Sequence, residues 1–308
     1  MQEHNLLRPL LSLSLLLAAP SAFAHISGEA IDHAWNFEPE VVLPLLLMVT
    51  AYVAGIRHLQ RQGIRSRIVG VSRCSAFALG ILVLVIALIS PLDRLAEFLF
   101  SAHMTQHLIL MLLAPPLLVL GRMDVVLLWT FPLPLRRWTG QQWHKATRLH
   151  FAVELLSQPI SVWLLASAVM WFWHVPGPYA WAFNNSYIHI IEHLSFFLTS
   201  LAFWALVLRP FSRNKSGHGT ALMLLVGFML ESSLLGALLV FAGHPFYQVH
   251  AEHVSRHFLS DLSPLQDQQL AGLIMWIPAG LVYLLMSVAV FADLLSMPQS
   301  QQAGSLKS

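Results

Sequence analysis

Long apolar runs interrupted by short polar breaks organise the chain from residue 39 onward. Seven of them, at about 39–56, 74–92, 98–120, 155–175, 186–208, 219–242 and 270–294, are long enough to cross, or nearly cross, a hydrocarbon core about 30 Å thick. None alternates between apolar and polar positions as a barrel strand would. The pattern predicts an all-α polytopic membrane protein built as a seven-transmembrane-helix bundle. A shorter run, 125–131, stops at Pro132 and is expected to lie in the interface rather than cross. Ahead of the bundle, Arg8, the apolar stretch 10–19 and Ala22-Phe23-Ala24 read as a cleaved signal peptide over residues 1–24. Residues 25–38 then form an outer N-terminal segment, 39–295 the membrane domain and 296–308 a cytoplasmic tail.

Composition agrees with lipid as the main solvent. Of 308 residues, 56% are hydrophobic and only 10% charged, which excludes an ordinary water-soluble domain. A net charge of +2, with no basic surface, argues against a nucleic-acid partner. The single cysteine, Cys74, excludes an internal disulfide and a thiolate cage, so any metal must be held by His, Met or carboxylate.

Charge placement sets the orientation. Arg57, Arg61, Arg65, Arg67 and Arg73 follow the first run; Arg122, Arg136, Arg137, Lys145 and Arg148 follow the third; Arg209, Arg213 and Lys215 follow the fifth. Basic residues near span ends stay cytoplasmic. The predicted topology is therefore N-terminus outside and C-terminus inside.

The chain has 16 histidines, and on this topology most fall in the outer half. In the third run, His103 and His107 are one helical turn apart on one face, and in the fifth His189 and His193 repeat that spacing. His174 closes the fourth run at a similar depth. Ionisable side chains in hydrocarbon are costly and point to function. Two imidazole pairs, Glu192 and the thioethers of Met104 or Met275 can ligate copper, zinc or iron: Cu(I) favours His with Met, whereas zinc or ferrous iron favours His with Glu192. The bland reading makes the same histidines polar contacts between helices.

His189 to His193 also fits H-x-x-E-H, the inverted zinc-peptidase pattern with Glu192 as base, although five positions match easily by chance. One histidine from each pair could instead bind a haem. Glu231 lies mid-span, where either a structural hydrogen bond or a proton-relay role is open. His250, His253 and His257 would share a face of a short helix in the longest outer loop and offer a metal entry point, or simply a solvated amphipathic segment.

Three blocks carry a family resemblance. They are His103-Met104-Thr105-Gln106-His107 with Ala114-Pro115-Pro116 and Gly121; Trp173-His174-Val175-Pro176 leading to His189-Ile190-Ile191-Glu192-His193; and Pro264-Leu265-Gln266-Asp267-Gln268-Gln269 running to Pro278. Together, over about residues 33–295, the chain resembles the multi-pass CtaG family of cytochrome c oxidase assembly factors. The resemblance implies a bacterial inner-membrane protein, with the periplasm on its outer side, that matures a haem-copper oxidase through copper delivery and has no turnover of its own. Expected partners are an oxidase subunit or a periplasmic copper chaperone, besides the bilayer. First-choice ligands are His103, His107, His189 and His193, then His174, Glu192 and Met275. Asp267 and Gln106 are expected to orient a ligating histidine through hydrogen bonds.

Overall fold

The computed structural model describes residues 35–63, 69–138, 147–208, 211, 217–249 and 262–297. The signal peptide, the 25–34 stretch, His250, His253, His257 and the tail from 298 lie outside the described residues.

Helix α1, Pro39–Arg61, starts with proline in its first turn, where the missing N–H is not needed, and ends before Gly63, whose φ of +68° reverses the chain. Helix α2 covers Val71–Leu88. The expected second run continued to 92, but Ser90-Pro91 begins a separate helix α3, Pro91–Phe98, with the Ser90 hydroxyl accepting the Leu92 N–H at 3.2 Å. Leu99 is extended, and α4, Phe100–Leu108, starts at once.

The third span continues from α4 through a wide turn, Ile109–Leu113, into α5, Ala114–Leu120. Its sequence explains the turn. Pro115 has no N–H to give the Met111 carbonyl four residues back, so the ladder loosens: Ala114 N–H reaches Ile109, five residues back, and the indole N–H of Trp204 donates to the Met111 carbonyl at 2.9 Å. The kink expected from Pro115-Pro116 is thus a π-type turn.

The run at 125–131 becomes α6, Met123–Leu128. It packs against α1 through one residue: Val126 is fully buried, with its carbonyl where a Cβ on Gly55 would be, while Asp124 and Leu128 stay exposed.

The fourth span differs most from expectation. Thr147–Leu156 (α7) and Pro159–Trp173 (α8) are separate helices, and the described pair bends by 71°. Gln158 precedes proline, is pushed into the extended region and breaks the helix inside the expected 155–175 span. With only 15 residues, α8 reaches about 22 Å. Among the described residues six helices qualify as spans, or seven if this bent pair counts as one.

Three further spans complete the bundle around a short helix α9, Pro176–Phe183. They are α10, Ser186–Val207, capped by the Asn185 side chain; α11, His218–Val240; and α12, Pro264–Leu295, capped by Ser263 and Gln266 in reciprocal hydrogen bonds. Helices α11 and α12 touch backbone to backbone: a Cβ on Gly272 would lie 2.7 Å from the Gly236 carbonyl oxygen.

The third span sits between two cores. On one side Leu110 and Leu118 join Tyr52 and Phe77, which stack at 3.6 Å; on the other Leu112 joins Phe196, Trp204 and Tyr283. Leucines such as Leu47, Leu230 and Leu285 instead face outward, as a lipid-facing bundle requires.

Candidate metal centre

The i,i+4 spacing puts the two rings of each pair next to one another along their helices, tilted by 55° in both. His103 and His107 on α4 are 4.2 Å apart by centroid, and His189 and His193 on α10 are 4.1 Å apart. The two helices then bring the pairs together. His103 lies 5.6 Å from His189, and His107 lies 5.1 Å from His193.

Glu192 enters between them. Its Oε1 is 3.9 Å from Nε2 of both His103 and His107, and the side chain is 1% exposed. Ligand atoms of His103, His189 and Glu192 all lie within 4.8 Å of one another. These separations exceed hydrogen-bond length but approach the roughly 3–3.5 Å between neighbouring ligands of a zinc- or copper-sized ion.

Both Glu192 oxygens, both ring nitrogens of His107 and Nε2 of His193 are buried without a hydrogen-bond partner among the described residues. Buried polar atoms are almost always satisfied, and leaving several orphaned together costs about 1–3 kcal/mol each. A cation at their centre would satisfy them, so this donor set fits a metal ion.

The scaffold that holds these side chains is made of backbone contacts. Asp267, at the start of α12, accepts the Phe100 N–H at 2.7 Å, the Ser101 N–H at 3.2 Å and the Ser101 hydroxyl. It therefore caps α4 one turn before His103, where a negative charge suits the helix N-terminus. It acts on the histidines through the helix that carries them, its hydrogen bonds going to Phe100 and Ser101 at the start of α4.

Gln106 likewise faces away from the cluster. Its amide donates to the Ala87 carbonyl at 2.8 Å and to Asp93 at 2.6 Å, tying α4 to α2 and α3. Gln268 accepts the Phe246 N–H at 2.6 Å, and Gln269 donates to the Ala242 carbonyl at 3.4 Å, so the Asp267-Gln268-Gln269 block ties down the backbone of two neighbouring segments, the start of α4 and the stretch after α11. On α10, the Ser195 hydroxyl donates to the Glu192 carbonyl at 2.7 Å and accepts the Trp173 indole N–H at 2.9 Å.

The remaining expected ligands lie elsewhere. His174 and Met275 line an adjoining small cavity, beside His107. Glu231 is half-buried on α11, with Oε2 unpartnered among the described residues. At the opposite end of α11 from this site, buried His218 meets Asp293 at 2.9 Å.

Acidic residues not singled out as site residues complete the approach. A cavity of about 480 Å³ runs from exposed Glu38, Glu40 and Glu97 past Asp93 to His103, His189 and Glu192. Glu97 is paired with Arg94 at 2.7 Å, leaving Glu38, Glu40 and Asp93 as the remaining carboxylates of that wall. The sequence signal was the gathering of acids at one end of the spans, but their common cavity depends on how α1, α3 and α10 meet. Tyr179, on the wall of this cavity, lies against His103 at 5.5 Å and packs on Tyr247 at 4.5 Å and on Phe100 at 5.4 Å; burial raises both phenols above their usual range, so they remain neutral.

The described helices define a polytopic membrane protein, with an imidazole–carboxylate cluster at the end of an acidic cavity. The sequence model of the family described as cytochrome c oxidase caa3 assembly factor (Caa3_CtaG) matches residues 50–296, and the chain belongs to this family. No curated protein and no solved structure matched the chain. The family is one of oxidase assembly factors, and the matched region contains every residue of the cluster.

Proposed function

We propose that this assembly factor binds copper among His103, His107, His189, His193 and Glu192, on the periplasmic side of a bacterial inner membrane, and supports its insertion into the oxidase. The observation that carries the reading is the convergence of five donors from α4 and α10, of which His103, His107 and Glu192 are buried and several are unsatisfied among the described residues. The arginine-rich loops support an orientation with this end of the spans outside. The acidic wall attracts cations toward the cluster, and its charge is complementary to a cation rather than to an anionic ligand.

Copper is cargo here, taken from a periplasmic copper chaperone or passed to an oxidase subunit. Zinc or iron would fit the same imidazoles and carboxylate. The metallo-hydrolase reading needs Glu192 as a general base, yet Glu192 lies equally close to two imidazoles of the other helix, a position suited to a ligand. A metal-free scaffold would leave the orphaned donors without a role.

The test is maturation of the oxidase in cells whose own copy is replaced by the H103A/H189A or E192Q variant. Membrane levels of the variants are matched by immunoblot. Delivery predicts an oxidase short of copper and restored by excess copper; full copper loading with both variants would refute it.

A further inference from the structure

On the far side of His107 from the acidic cavity lies a second, smaller cavity of about 40 Å³. Its walls include Met104, Met111, Met170 and Met275, four of the chain's 11 methionines, together with His107 and His174. Methionine commonly fills irregular core gaps, so sulfur alone would not indicate a ligand site. The histidines supply the independent observation.

Nδ1 of His174 is 2.6 Å from the Met170 carbonyl oxygen, which can only accept. Nδ1 therefore carries the proton, and the lone pair of the neutral ring is on Nε2. That Nε2 is buried with no partner among the described residues. A backbone-fixed tautomer with a free Nε2 is how a metal-binding imidazole is prepared. His107, 4% exposed and likewise unpartnered at both nitrogens, is common to this cavity and the cluster around Glu192.

We infer that this cavity is a second metal site, selective for a soft monovalent cation, Cu(I) in the cell, held by His174, His107 and the thioethers of Met104, Met170 and Met275. Thioether and imidazole together favour Cu(I) over hard or borderline divalent ions, whereas the neighbouring set with its carboxylate suits Zn(II) or Cu(II). The volume admits a single ion and excludes a larger ligand. The two sites adjoin at His107, so cargo held near Glu192 has a sulfur-lined acceptor one side chain away. The identity of the cargo rests on the copper reading above; the existence of a soft site does not.

The test uses Ag(I) as a redox-inert probe and Zn(II) as its borderline counterpart, on the full chain in detergent. Wild-type protein should bind one equivalent of Ag(I) showing sulfur neighbours by X-ray absorption. The M104L/M170L/M275L variant, chosen because Met to Leu nearly conserves volume, should lose the sulfur signal and at least tenfold in Ag(I) affinity while keeping its Zn(II) equivalent. The H103A/H189A variant should do the opposite, losing Zn(II) and keeping sulfur-bound Ag(I). Wild-type Ag(I) with only nitrogen or oxygen neighbours overturns the inference, as does unchanged Ag(I) binding in the methionine variant. Loss of Zn(II) binding in wild type, with sulfur-bound Ag(I) intact, would count against the cluster around Glu192 and leave the soft site standing.

Discussion

Replacing Asp267 with asparagine isolates how the bundle positions its histidines. The carboxylate is 1% exposed and takes three donors: the N–H groups of Phe100 and Ser101 and the Ser101 hydroxyl. Asparagine keeps the shape but retains only one accepting oxygen and turns an NH2 toward donors. At least one charge-assisted hydrogen bond is lost, about 1.5–3 kcal/mol, together with the favourable charge at the α4 N-terminus, about 0.3–1 kcal/mol. The sum is about 3 kcal/mol, or a fall of roughly 6–12 °C in Tm for a domain of this size. Tryptophan-fluorescence melting in detergent reads the stability, and Zn(II) titration reads the site. Because His103 lies one turn into α4, loosening of the cap should also weaken Zn(II) binding about tenfold or more. A Tm within 2 °C of wild type, with Zn(II) affinity unchanged, would refute the assignment of Asp267 as the cap that sets the site.

Three other outcomes test separate parts of the structure. G272A places a Cβ 2.7 Å from the Gly236 carbonyl and should cost about 1–3 kcal/mol by forcing α11 and α12 apart, seen as a lower Tm without loss of metal at low temperature. W204F leaves the Met111 carbonyl without the donor that replaces Pro115 and should cost about 1–2 kcal/mol, whereas a Tm equal to wild type would mean the π turn is stable without it. E192Q should leave the metal-free Tm unchanged within 2 °C, since no donor is bonded to either carboxylate oxygen among the described residues, while lowering Zn(II) affinity at least tenfold.

Hydropathy and spacing made the spans and the histidine pairs legible. Apolar runs need only count residues against the bilayer, and an i,i+4 pair fixes a helix face before any tertiary contact is known. The break before Pro159 was also written locally, but the surrounding hydropathy hid it, because a run of apolar residues reads the same whether its helix is continuous or bent. What spacing could not supply was depth and register between helices. His174 sits at the level of the other histidines in sequence, yet its ring is tied to the Met170 carbonyl and lines the methionine cavity that it shares with His107. Asp267 was recognisable as a site residue, but its action through the N-terminus of α4 depends on a contact 167 positions away in the chain. The acidic wall likewise needed three helices to meet before Glu38, Glu40 and Asp93 shared a cavity with Glu192.

The central claim is that the paired histidines and Glu192 hold a metal ion, and the direct measurement is the metal content of the purified full chain. Copper, zinc and iron would be measured by elemental analysis and haem by its Soret absorption, after reconstitution with Cu(I). The same is done for the variant with His103, His107, His189 and His193 all changed to alanine, checked for an intact fold by its melting profile. The account predicts near-stoichiometric copper or more in wild type, a clear loss in the variant and no Soret band. Wild-type protein that stays metal-free after reconstitution, or a folded variant that retains all its copper, would contradict it.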